Sequence, residues 1–541
     1  MRKGKVFTIF VILALMTAMM IAPAWADVRV AQAPAIEYMV PPAAWPGTLV
    51  AIQGADFGVV QIPLVSGVTF NGADAGTATL WTDTYILVTV PEGATSGPVV
   101  VTSLGGSSNG YEFTVLEDPT AVSCYFAEGT TRSGFEEWLT LYNPWGEDLV
   151  ATVTYLMDTA ANRIRYYNVP AHTRVSVYVN SEIGSDRDVS ITVTSTGQLI
   201  AERPMYFRYK KAWAGGHCTT PVLEPSTTWY FAEGTTRPGF EEWLCLANPG
   251  EEDATVDVTY IFGDGDAVTL SYNVPAYSRY TVDVNATVGI GADVALKLES
   301  SKPIVAERSM YFAYNWIWPG GHTTIGVNVP NTTWYFAEGT TRPGFEEWLC
   351  LANPGEEDAA VLVTCDLADG GTVTEGIEVP ARRRRTIDVN AIVGAGADVA
   401  LKLESSKPIV AERSMYFAYN WIWPGGHTTI GAASPQAEWY FAEGTTRSGF
   451  EEWLCLYNPG DLEARVSVNY AFQDGGTQMQ DLVLMPGQRF SISMNQVVGP
   501  DKDVSVHVES DQGIVAERPM YFDYHGVWPG GHVTIGCTSF N

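Results

Sequence analysis

The sequence predicts an all-β protein built from β-sandwich domains in tandem, and three observations support this prediction. The segment Trp229–Gly250 (WYFAEGTTRPGFEEWLCLANPG) returns in close copies at Cys124, Trp334 and Trp439, each 105 residues after the last. Between turns rich in glycine and proline, apolar and polar residues alternate with the period of a half-buried strand. No segment carries a sustained stripe of apolar residues at helical spacing. A period this long predicts repeats that are each large enough to be a domain.

Repeat 2 shows the pattern that all four repeats share. About eight short strands in roughly a hundred residues are typical of a two-sheet, immunoglobulin-like sandwich. The predicted repeats are residues 124–220, 229–326, 334–431 and 439–537. The connections between them are short and each contains a proline. We therefore expect little swing between neighbours and a semi-rigid rod.

Residues 34–116 lie outside the repeat and read as five short strands separated by glycine turns. The segments Pro46–Gly58 (PGTLVAIQGADFG), Val88–Gly93 (VTVPEG), Ser96–Ser103 (SGPVVVTS) and Gly105–Val115 (GGSSNGYEFTV) resemble the IPT/TIG domain. This resemblance implies a β-sandwich that acts as a spacer or adhesion module, and it does not imply a particular activity.

The repeat itself is similar to an uncharacterised module of secreted bacterial surface proteins. The words that carry this resemblance are WYFAEGTTR, FEEWL, NPG, AERSMYF and GGHTTIG. The resemblance implies a location at the cell exterior and no activity.

Residues 1–26 have the features of a secretory signal peptide. Arg2, Lys3 and Lys5 precede the apolar segment Val6–Ile21, and Ala24-Trp25-Ala26 offers small residues at the cleavage site. We expect cleavage after Ala26 and a secreted or surface-associated protein. No later segment is long and apolar enough to cross a bilayer, so we expect no integral membrane segment in the mature chain.

The charge excludes one class of partner. The formal net charge is −30, which makes binding of nucleic acid unfavourable. Aromatic residues make up 12% of the chain, too many for a disordered acidic tail.

Several charged residues recur in all four repeats. In repeat 2 they are Glu233, Arg237, Glu241, Glu242, Glu307, Arg308 and His322. One hypothesis is a cation site, or a pair of carboxylates that act as acid and base. The favoured hypothesis is a structural polar brace, in which Arg237 or Arg308 pairs with Glu233 or Glu307 and His322 completes a turn after Gly320-Gly321. No motif for a nucleophile or a zinc site accompanies these residues, so we expect neither an enzyme nor a resident cofactor or metal.

An aromatic segment follows the Ala-Glu-Arg motif. Phe312, Tyr314, Trp316 and Trp318 alternate with other residues, so an extended chain would place them on one face before a turn at Pro319-Gly320-Gly321. Repeat 3 carries Tyr419, Trp421 and Trp423 at the same positions. Such a face suits stacking on sugar rings or docking to a protein, and the alternative is that it fills the end of the sandwich.

The seven cysteines are an odd number. Cys124 and Cys218 occur at opposite ends of repeat 1 alone, which suggests a disulfide that joins its first and last strands. Cys350 and Cys365 of repeat 3 are a second candidate pair across a hairpin.

The sequence thus favours a non-enzymatic structural or adhesion protein at a bacterial surface, whose repeated domains act together through avidity. The alternative is a carbohydrate-binding protein that uses the aromatic segments. The expected partner is an extracellular protein or glycan surface.

Overall fold

The computed structural model describes residues 32–40, 43–44, 46–91, 93–115, 122–158, 161–263 and 265–538. The predicted signal peptide and its cleavage site lie outside the described residues. The predicted all-β class is confirmed, with β-sandwich sheets in tandem. Among the described residues, no helix combines the length and the apolar character needed to span a bilayer.

The chain divides into two compact units, Met1–Glu117 and Asp118–Asn541. The first unit contains two antiparallel-rich sheets in the strand orders β1-β3-β7-β6 and β2-β10-β8-β4-β5, with β9 paired to β8. Alternating apolar residues such as Val50, Ile52, Ile86 and Val88 point between these sheets and are fully buried. The strands are β1 Ala35–Val40, β2 Ala43–Ala44, β3 Leu49–Ala55, β4 Gly67–Phe70, β5 Ala73–Asp74, β6 Leu80–Trp81, β7 Tyr85–Thr89, β8 Gly97–Ser103, β9 Gly106–Ser107 and β10 Tyr111–Val115.

In the second unit, repeat 1 forms two four-stranded sheets in the orders β11-β16-β13-β14 and β15-β12-β17-β18. Its elements are β11 Val122–Phe126, β12 Phe135–Asn143, β13 Leu149–Met157, β14 Arg163–Val169, β15 Thr173–Tyr178, α1 Val179–Ile183, β16 Val189–Ser195, β17 Ile200–Tyr209 and β18 Trp213–Thr219.

Repeats 2 to 4 have the same plan, except that the strands equivalent to β16 and β17 are continuous. In repeat 2 this strand, Val294–Tyr314, pairs through its first half with one sheet and through its second half with the other. Repeat 2 contains β19 Ser226–Phe231, β20 Phe240–Asn248, β21 Ala254–Phe262, β22 Ala267–Val274, β23 Ser278–Asp283, α2 Val284–Val288, β24 Val294–Tyr314 and β25 Trp318–Ile325.

The corresponding elements of repeats 3 and 4 follow in the same order. Repeat 3 contains β26 Asn331–Phe336, β27 Phe345–Asn353, β28 Ala359–Leu367, β29 Thr372–Val379, β30 Arg383–Asp388, α3 Val389–Val393, β31 Val399–Tyr419 and β32 Trp423–Ile430. Repeat 4 contains β33 Gln436–Phe441, β34 Phe450–Tyr457, β35 Ala464–Phe472, β36 Thr477–Leu484, β37 Arg489–Ser493, α4 Met494–Val498, β38 Val504–Tyr524 and β39 Trp528–Ile535.

The four repeats close into a ring, so the predicted rod is wrong for this unit. Repeat 1 contacts repeat 2 through Arg203 and Glu307, and repeat 4 returns to repeat 1 through Arg518 and Glu202. The physical reason is that each repeat shares its buried charged residues and its glycines with the neighbouring repeats. A single repeat taken alone would keep these contacts within itself. The ring has pseudo-four-fold symmetry, because each repeat makes the same contacts with the next.

The strands β18, β25, β32 and β39 lie next to one another around the pseudo-four-fold axis. Their glycines permit this approach, since a Cβ atom on Gly530 would lie 2.9 Å from the Cα of Gly215. On Gly320 it would lie 3.1 Å from the nitrogen of Gly426. The Gly-Gly-His motif therefore lies in a strand at the axis, and the turn predicted at Pro319-Gly320-Gly321 is wrong. The chain instead turns between Tyr314 and Trp318.

Candidate functional site

The arginine of each Ala-Glu-Arg motif meets the Ala-Glu-Arg glutamate of a neighbouring repeat in a buried cluster. In repeat 2, Arg308 is fully buried and its Nη2 lies 3.0 Å from Glu233 and 2.9 Å from Glu412 of repeat 3. Its Nη1 also donates to the carbonyl oxygen of Glu233. Of the residues of the predicted brace, this cluster contains Glu233 and Arg308, and it joins two repeats at once.

The same contact recurs around the ring. The arginine of each repeat pairs with the Ala-Glu-Arg glutamate of the next: Arg203 with Glu307, Arg308 with Glu412, Arg413 with Glu517, and Arg518 with Glu202. These glutamates also accept backbone N–H groups, for example that of Glu128 at 3.0 Å from Glu307. Each guanidinium therefore supports the interface and not only the repeat that carries it.

Burial and charge act in opposite directions on these groups. Burial disfavours the charged guanidinium of Arg308, but Glu412, Glu233 and Glu242 outweigh it, so the pKa of Arg308 is raised. Burial raises the pKa of Glu242 to about 8, against the opposing effect of Arg308. Glu242 is thus largely protonated at neutral pH, which reduces the number of negative charges around the buried arginine.

Of the residues of the alternative cation-site hypothesis, the structure brings Glu233 and Glu242 together and places Glu307 and His322 elsewhere. Glu233 lies beside Glu242 and Arg308, whereas Glu307 faces Arg203 and Glu128 of repeat 1. His322 lies near the axis, where its Nε2 is 3.1 Å from the Oγ1 of Thr428. Burial lowers the pKa of His322 well below its usual value, so its ring is neutral. Arg237 is exposed and pairs with Asp293.

The aromatic segments divide between the ring interface and the surface. Tyr314 stacks on Tyr416 of repeat 3 with the ring centroids 3.9 Å apart, and its hydroxyl donates to Glu346 at 2.5 Å. Tyr419 makes the same contacts with Tyr521 and Glu451. Trp318 and Trp423 are half-buried and stack on Tyr314 and Tyr419. These residues do not form one exposed face, because the chain reverses immediately after Tyr314.

Trp316 and Trp421 remain at the surface, at the tips of the hairpins β24–β25 and β31–β32. Each side chain is 70% exposed, and each backbone adopts a left-handed conformation with φ near +60° (64° and 63°). The four hairpin tips lie at the same end of the axis, because the repeats are related by rotation about it. Repeats 1 and 4 carry Lys211 and Gly526 at this position, with the same sign of φ.

Two clefts between repeats were not predicted from the sequence. Cleft A lies between repeats 1 and 2 and includes Glu128, Phe135, Trp243, Arg279 and Tyr311, with a volume of about 380 Å³. Cleft B lies between repeats 4 and 1 and includes Glu443, Phe450, Trp138, Arg174 and Tyr206, with a volume of about 590 Å³. The members of the two sets occupy equivalent positions. A clue in the sequence was the recurrence of Glu-Glu-Trp, whose tryptophan lines both clefts.

A further group, Glu438, His507 and Glu509, lies within repeat 4. Its ligand-type atoms lie within 4.8 Å of one another. Tyr440 donates to Glu438 at 2.6 Å and stacks on His507, whose buried Nε2 has no hydrogen-bond partner among the described residues. In repeat 2, Lys297 and Glu299 form an ion pair at the matching positions.

All seven cysteines lie within the described residues and are thiols. Burial raises the pKa of Cys124, Cys350 and Cys365 to about 12 and that of Cys218 well above its usual value. The sulfur atoms of the two pairs suggested by the sequence, Cys124–Cys218 and Cys350–Cys365, are not joined in this structure.

Comparison with protein families gives one match. A family of unknown function, DUF5719, matches residues 425–532, which run from the end of repeat 3 to His532. No curated protein matches the chain.

Several solved structures resemble parts of the chain. The crystal structure of Thermotoga maritima 1070 is 22% identical, with 19% of this chain and 94% of that chain covered and a TM-score of 0.18. The Anabaena sensory rhodopsin transducer is 32% identical, with 16% and 95% covered and a TM-score of 0.15. SGBP-B from a complex xyloglucan utilization locus in Bacteroides uniformis is 12% identical, with 70% and 94% covered and a TM-score of 0.14.

Proposed function

We propose that this protein is a non-enzymatic carbohydrate-binding protein of the cell exterior, and that its ring presents Trp316 and Trp421 to a polysaccharide. The observation that carries the proposal is the exposure of both indoles at backbone positions that favour glycine. A left-handed conformation costs about 1–2 kcal/mol for a residue with a Cβ atom. Strain of this kind, at side chains that are 70% exposed, is characteristic of functional positions.

Sugar rings suit these tips chemically. An indole offers a flat apolar surface on which the C–H face of a sugar ring can stack, and its N–H can donate to a hydroxyl group. The two tips belong to neighbouring repeats and lie on one face of the ring, so two residues of one polymer can engage them together. Avidity then turns two weak contacts into useful binding.

The acid–base hypothesis loses support from the position of the carboxylates. Glu233 is only 4% exposed, and Glu242 and Glu307 are fully buried. They offer a substrate little accessible surface, and the counterparts of Glu233 that line clefts A and B, Glu128 and Glu443, are only 4% and 7% exposed. The proposal therefore assigns these groups to stability and the tips to binding.

The location belongs to the same proposal. The features of residues 1–26 support export. The negative charge of the chain supports a role that does not involve binding nucleic acid. The resemblance of residues 34–116 to IPT/TIG domains supports a spacer or adhesion role for the first unit.

A second candidate function is docking to a protein of the cell surface. Ile317 and Ile422 stand next to the tryptophans and are 65% and 66% exposed, and Val527 of repeat 4 is 63% exposed. Aliphatic side chains contribute to contacts with an apolar protein surface and little to stacking on sugars.

A glycan array with the full chain tests the proposal. Wild type should bind one class of neutral polysaccharide. Trp316→Gly alone should weaken that binding about a hundredfold, the lower end of the avidity gain from linked sites, and Trp316→Gly with Trp421→Gly should abolish it. Glycine is compatible with the tip conformation and is present in repeat 4 as Gly526, so the variant should fold. Leu462→Ala, which changes a side chain that is 64% exposed elsewhere on repeat 4, is the matched control.

The array also separates the two functions. If Ile317→Ala with Ile422→Ala reduces retention on cells while glycan binding is absent from wild type, protein docking replaces carbohydrate binding. Unchanged glycan binding in the double tryptophan variant would refute the assignment of the tips.

A further inference from the structure

We infer that clefts A and B, which flank repeat 1, each bind one neutral sugar residue. The inference rests on the proposed carbohydrate-binding function and adds two sites to it that are separate from the tryptophan tips. It follows from a difference between the interfaces of the ring that pseudo-symmetry alone would not produce.

The first part of this difference is at the hairpin tips. In repeats 2 and 3 the tryptophan lies over its own loop, since a Cβ atom on Gly239 would lie 3.7 Å from the ring of Trp316 and one on Gly344 3.8 Å from that of Trp421. At the equivalent glycines of repeats 1 and 4, Gly134 and Gly449, only backbone atoms lie within 4 Å of such an atom. Clefts A and B are lined by these two uncovered loops.

The loops of repeats 1 and 4 also differ in sequence from those of repeats 2 and 3. Repeats 1 and 4 carry Ser133 and Ser448, which line the clefts, where repeats 2 and 3 carry Pro238 and Pro343. A serine adds a hydroxyl group that donates and accepts hydrogen bonds, whereas proline offers no side-chain donor or acceptor. The repeats with open tips are thus also the repeats with a polar loop.

The buried arginines of the clefts show the second part of the difference. Arg279 in cleft A is 6% exposed and Arg174 in cleft B is 5% exposed, and the Nε of each is buried without a hydrogen-bond partner among the described residues. At the other two interfaces the Nε of Arg384 donates to Ala232 at 3.2 Å and that of Arg489 donates to Ala337 at 3.2 Å. The carbonyl groups that correspond to those of Ala232 and Ala337 are those of Ala127 and Ala442. They accept instead from the hydroxyl groups of Ser190 and Ser505, at 2.5 and 2.6 Å.

Most charged groups in both clefts are compensated by ion pairs, and the exception is Asp523 in cleft B, whose Oδ1 is buried without a hydrogen-bond partner among the described residues. In cleft A, Arg132 pairs with Asp188, and Lys210 lies 2.6 Å from Glu241. In cleft B, Arg447 pairs with Asp503, and Arg174 lies 2.8 Å from Glu443. An ionic ligand would have to displace one of these partners, whereas a neutral ligand would not.

The remaining lining defines the ligand class. Trp243 and Phe135 in cleft A, and Trp138 and Phe450 in cleft B, supply aromatic surface beside the arginine, serine and carboxylate groups. Aromatic surface together with donors and acceptors matches a hydroxylated ring with an apolar face. The volumes of about 380 and 590 Å³ lie in the range of small-molecule sites. A single neutral sugar residue meets all of these requirements.

The test converts open repeats into covered ones. Full-length protein is titrated with glucose, galactose and mannose, each used as a free monosaccharide, and binding is followed by saturation-transfer NMR and equilibrium dialysis. Wild type should bind at least one of them at two sites. Lys211→Trp should remove the site in cleft A, Gly526→Trp the site in cleft B, and the double variant both, because each places an indole where repeats 2 and 3 carry one.

Controls keep this result separate from the polysaccharide test. Circular dichroism and the thermal midpoint check that Lys211→Trp and Gly526→Trp fold. A second pair of variants, Ser133→Pro with Ser448→Pro, removes these two hydroxyl groups from the clefts and should also weaken monosaccharide binding. Trp316→Gly with Trp421→Gly should leave the two monosaccharide sites intact even if polysaccharide binding is lost. No monosaccharide binding by wild type, equal binding by the covered variants, or binding of glucuronate alone would overturn the inference. None of these outcomes bears on the tryptophan tips.

Discussion

Arg518 in repeat 4 donates from Nη1 to the carboxylate of Glu202 in repeat 1 at 2.8 Å, although 316 residues of chain separate them. Both side chains are almost completely inaccessible, and the same guanidinium also donates to the carbonyl oxygen of Glu443. This contact closes the ring. It depends on the last repeat meeting the first, and repeats 1 to 4 together form one compact unit.

Removal of either partner should therefore lower the free energy of unfolding strongly. Arg518→Met leaves Glu202 buried without its cation, and we expect a loss of about 3–5 kcal/mol in the free energy of unfolding, measured by guanidinium titration. Lys302→Ala breaks the exposed pair with Glu252 and should change stability by less than about 1 kcal/mol. Equal effects of the two substitutions would contradict the closed ring.

A half-length chain provides a second test of ring closure. A fragment of residues 118–327 contains repeats 1 and 2, whose outer faces present Glu202 and Arg308. Because repeat 2 contacts repeat 3 as repeat 4 contacts repeat 1, two copies can restore the ring as a symmetric dimer. Analytical ultracentrifugation should show a dimer, and Glu202→Gln in the fragment should weaken it. A stable monomer would show that the repeats fold and remain apart.

The sequence predicted the strands and the repeat because alternation along a strand is a local property. Residues such as Val256 and Val258 alternate with polar neighbours and are buried in the sandwich. The ring could not be predicted in the same way, because alternation does not show which repeat Glu307 or Arg308 will contact. A buried pair within one domain and a buried pair between two domains leave the same pattern in the sequence.

The same difference between local patterns and contacts between repeats applies to the candidate site. Pro319-Gly320-Gly321 is typical of a turn, but the glycines are needed where four strands meet at the axis. The true turn contains Asn315 and Trp316 with positive φ, and tryptophan is rare in that conformation. The exposure of Trp316 agrees with the aromatic surface that the sequence suggested. The burial of Tyr314 against Tyr416 could not be predicted, because Tyr416 belongs to a neighbouring repeat that only the ring brings close.

The tip substitutions also predict a stability effect. Trp316→Gly relieves a strain of about 1–2 kcal/mol and increases the entropy of the unfolded chain by about 0.5–1 kcal/mol, so the free energy of unfolding should hardly change. Tyr314→Ala should instead cost about 3–5 kcal/mol, because it removes a stacked ring and leaves a cavity at the interface. Thermal and chemical unfolding of both variants would compare the two. A large loss in Trp316→Gly would show that the indole is a packing residue.

Thiol chemistry checks the state of the cysteines. With pKa values of about 12 for Cys245, Cys350 and Cys455, almost no thiolate is present at neutral pH in the folded protein. Alkylation should therefore be slow in the native state, and mass spectrometry after unfolding without reductant should count seven modified thiols. A count of five would point instead to one disulfide, and peptide mapping would show whether it joins Cys124 to Cys218.

The buried glutamates predict that the ring loses stability as pH rises. Glu137, Glu242, Glu347 and Glu452 each have a pKa raised by burial to about 8 from an ordinary value of 4.5. Between pH 4.5 and pH 8 the folded protein holds protons on these glutamates that the unfolded chain has released. The contribution of these groups to the free energy of unfolding is therefore greatest below about pH 4.5 and declines towards pH 8. Each group contributes up to about 1.4 kcal/mol per pH unit.

Urea titrations at pH 5, 6.5 and 8 measure this decline directly. Glu242→Gln keeps the shape of the side chain and cannot ionise, so it should remove about a quarter of the slope that the four groups produce together. Glu241→Gln is the matched control, since Glu241 lies next in sequence, is only half-buried and accepts from Tyr209 and Lys210. A slope that is unchanged in Glu242→Gln would contradict a protonated Glu242. A stability that rises from pH 5 to pH 8 would contradict the assignment for all four repeats, because ionised carboxylates beside the buried arginines would then be the stabilising form.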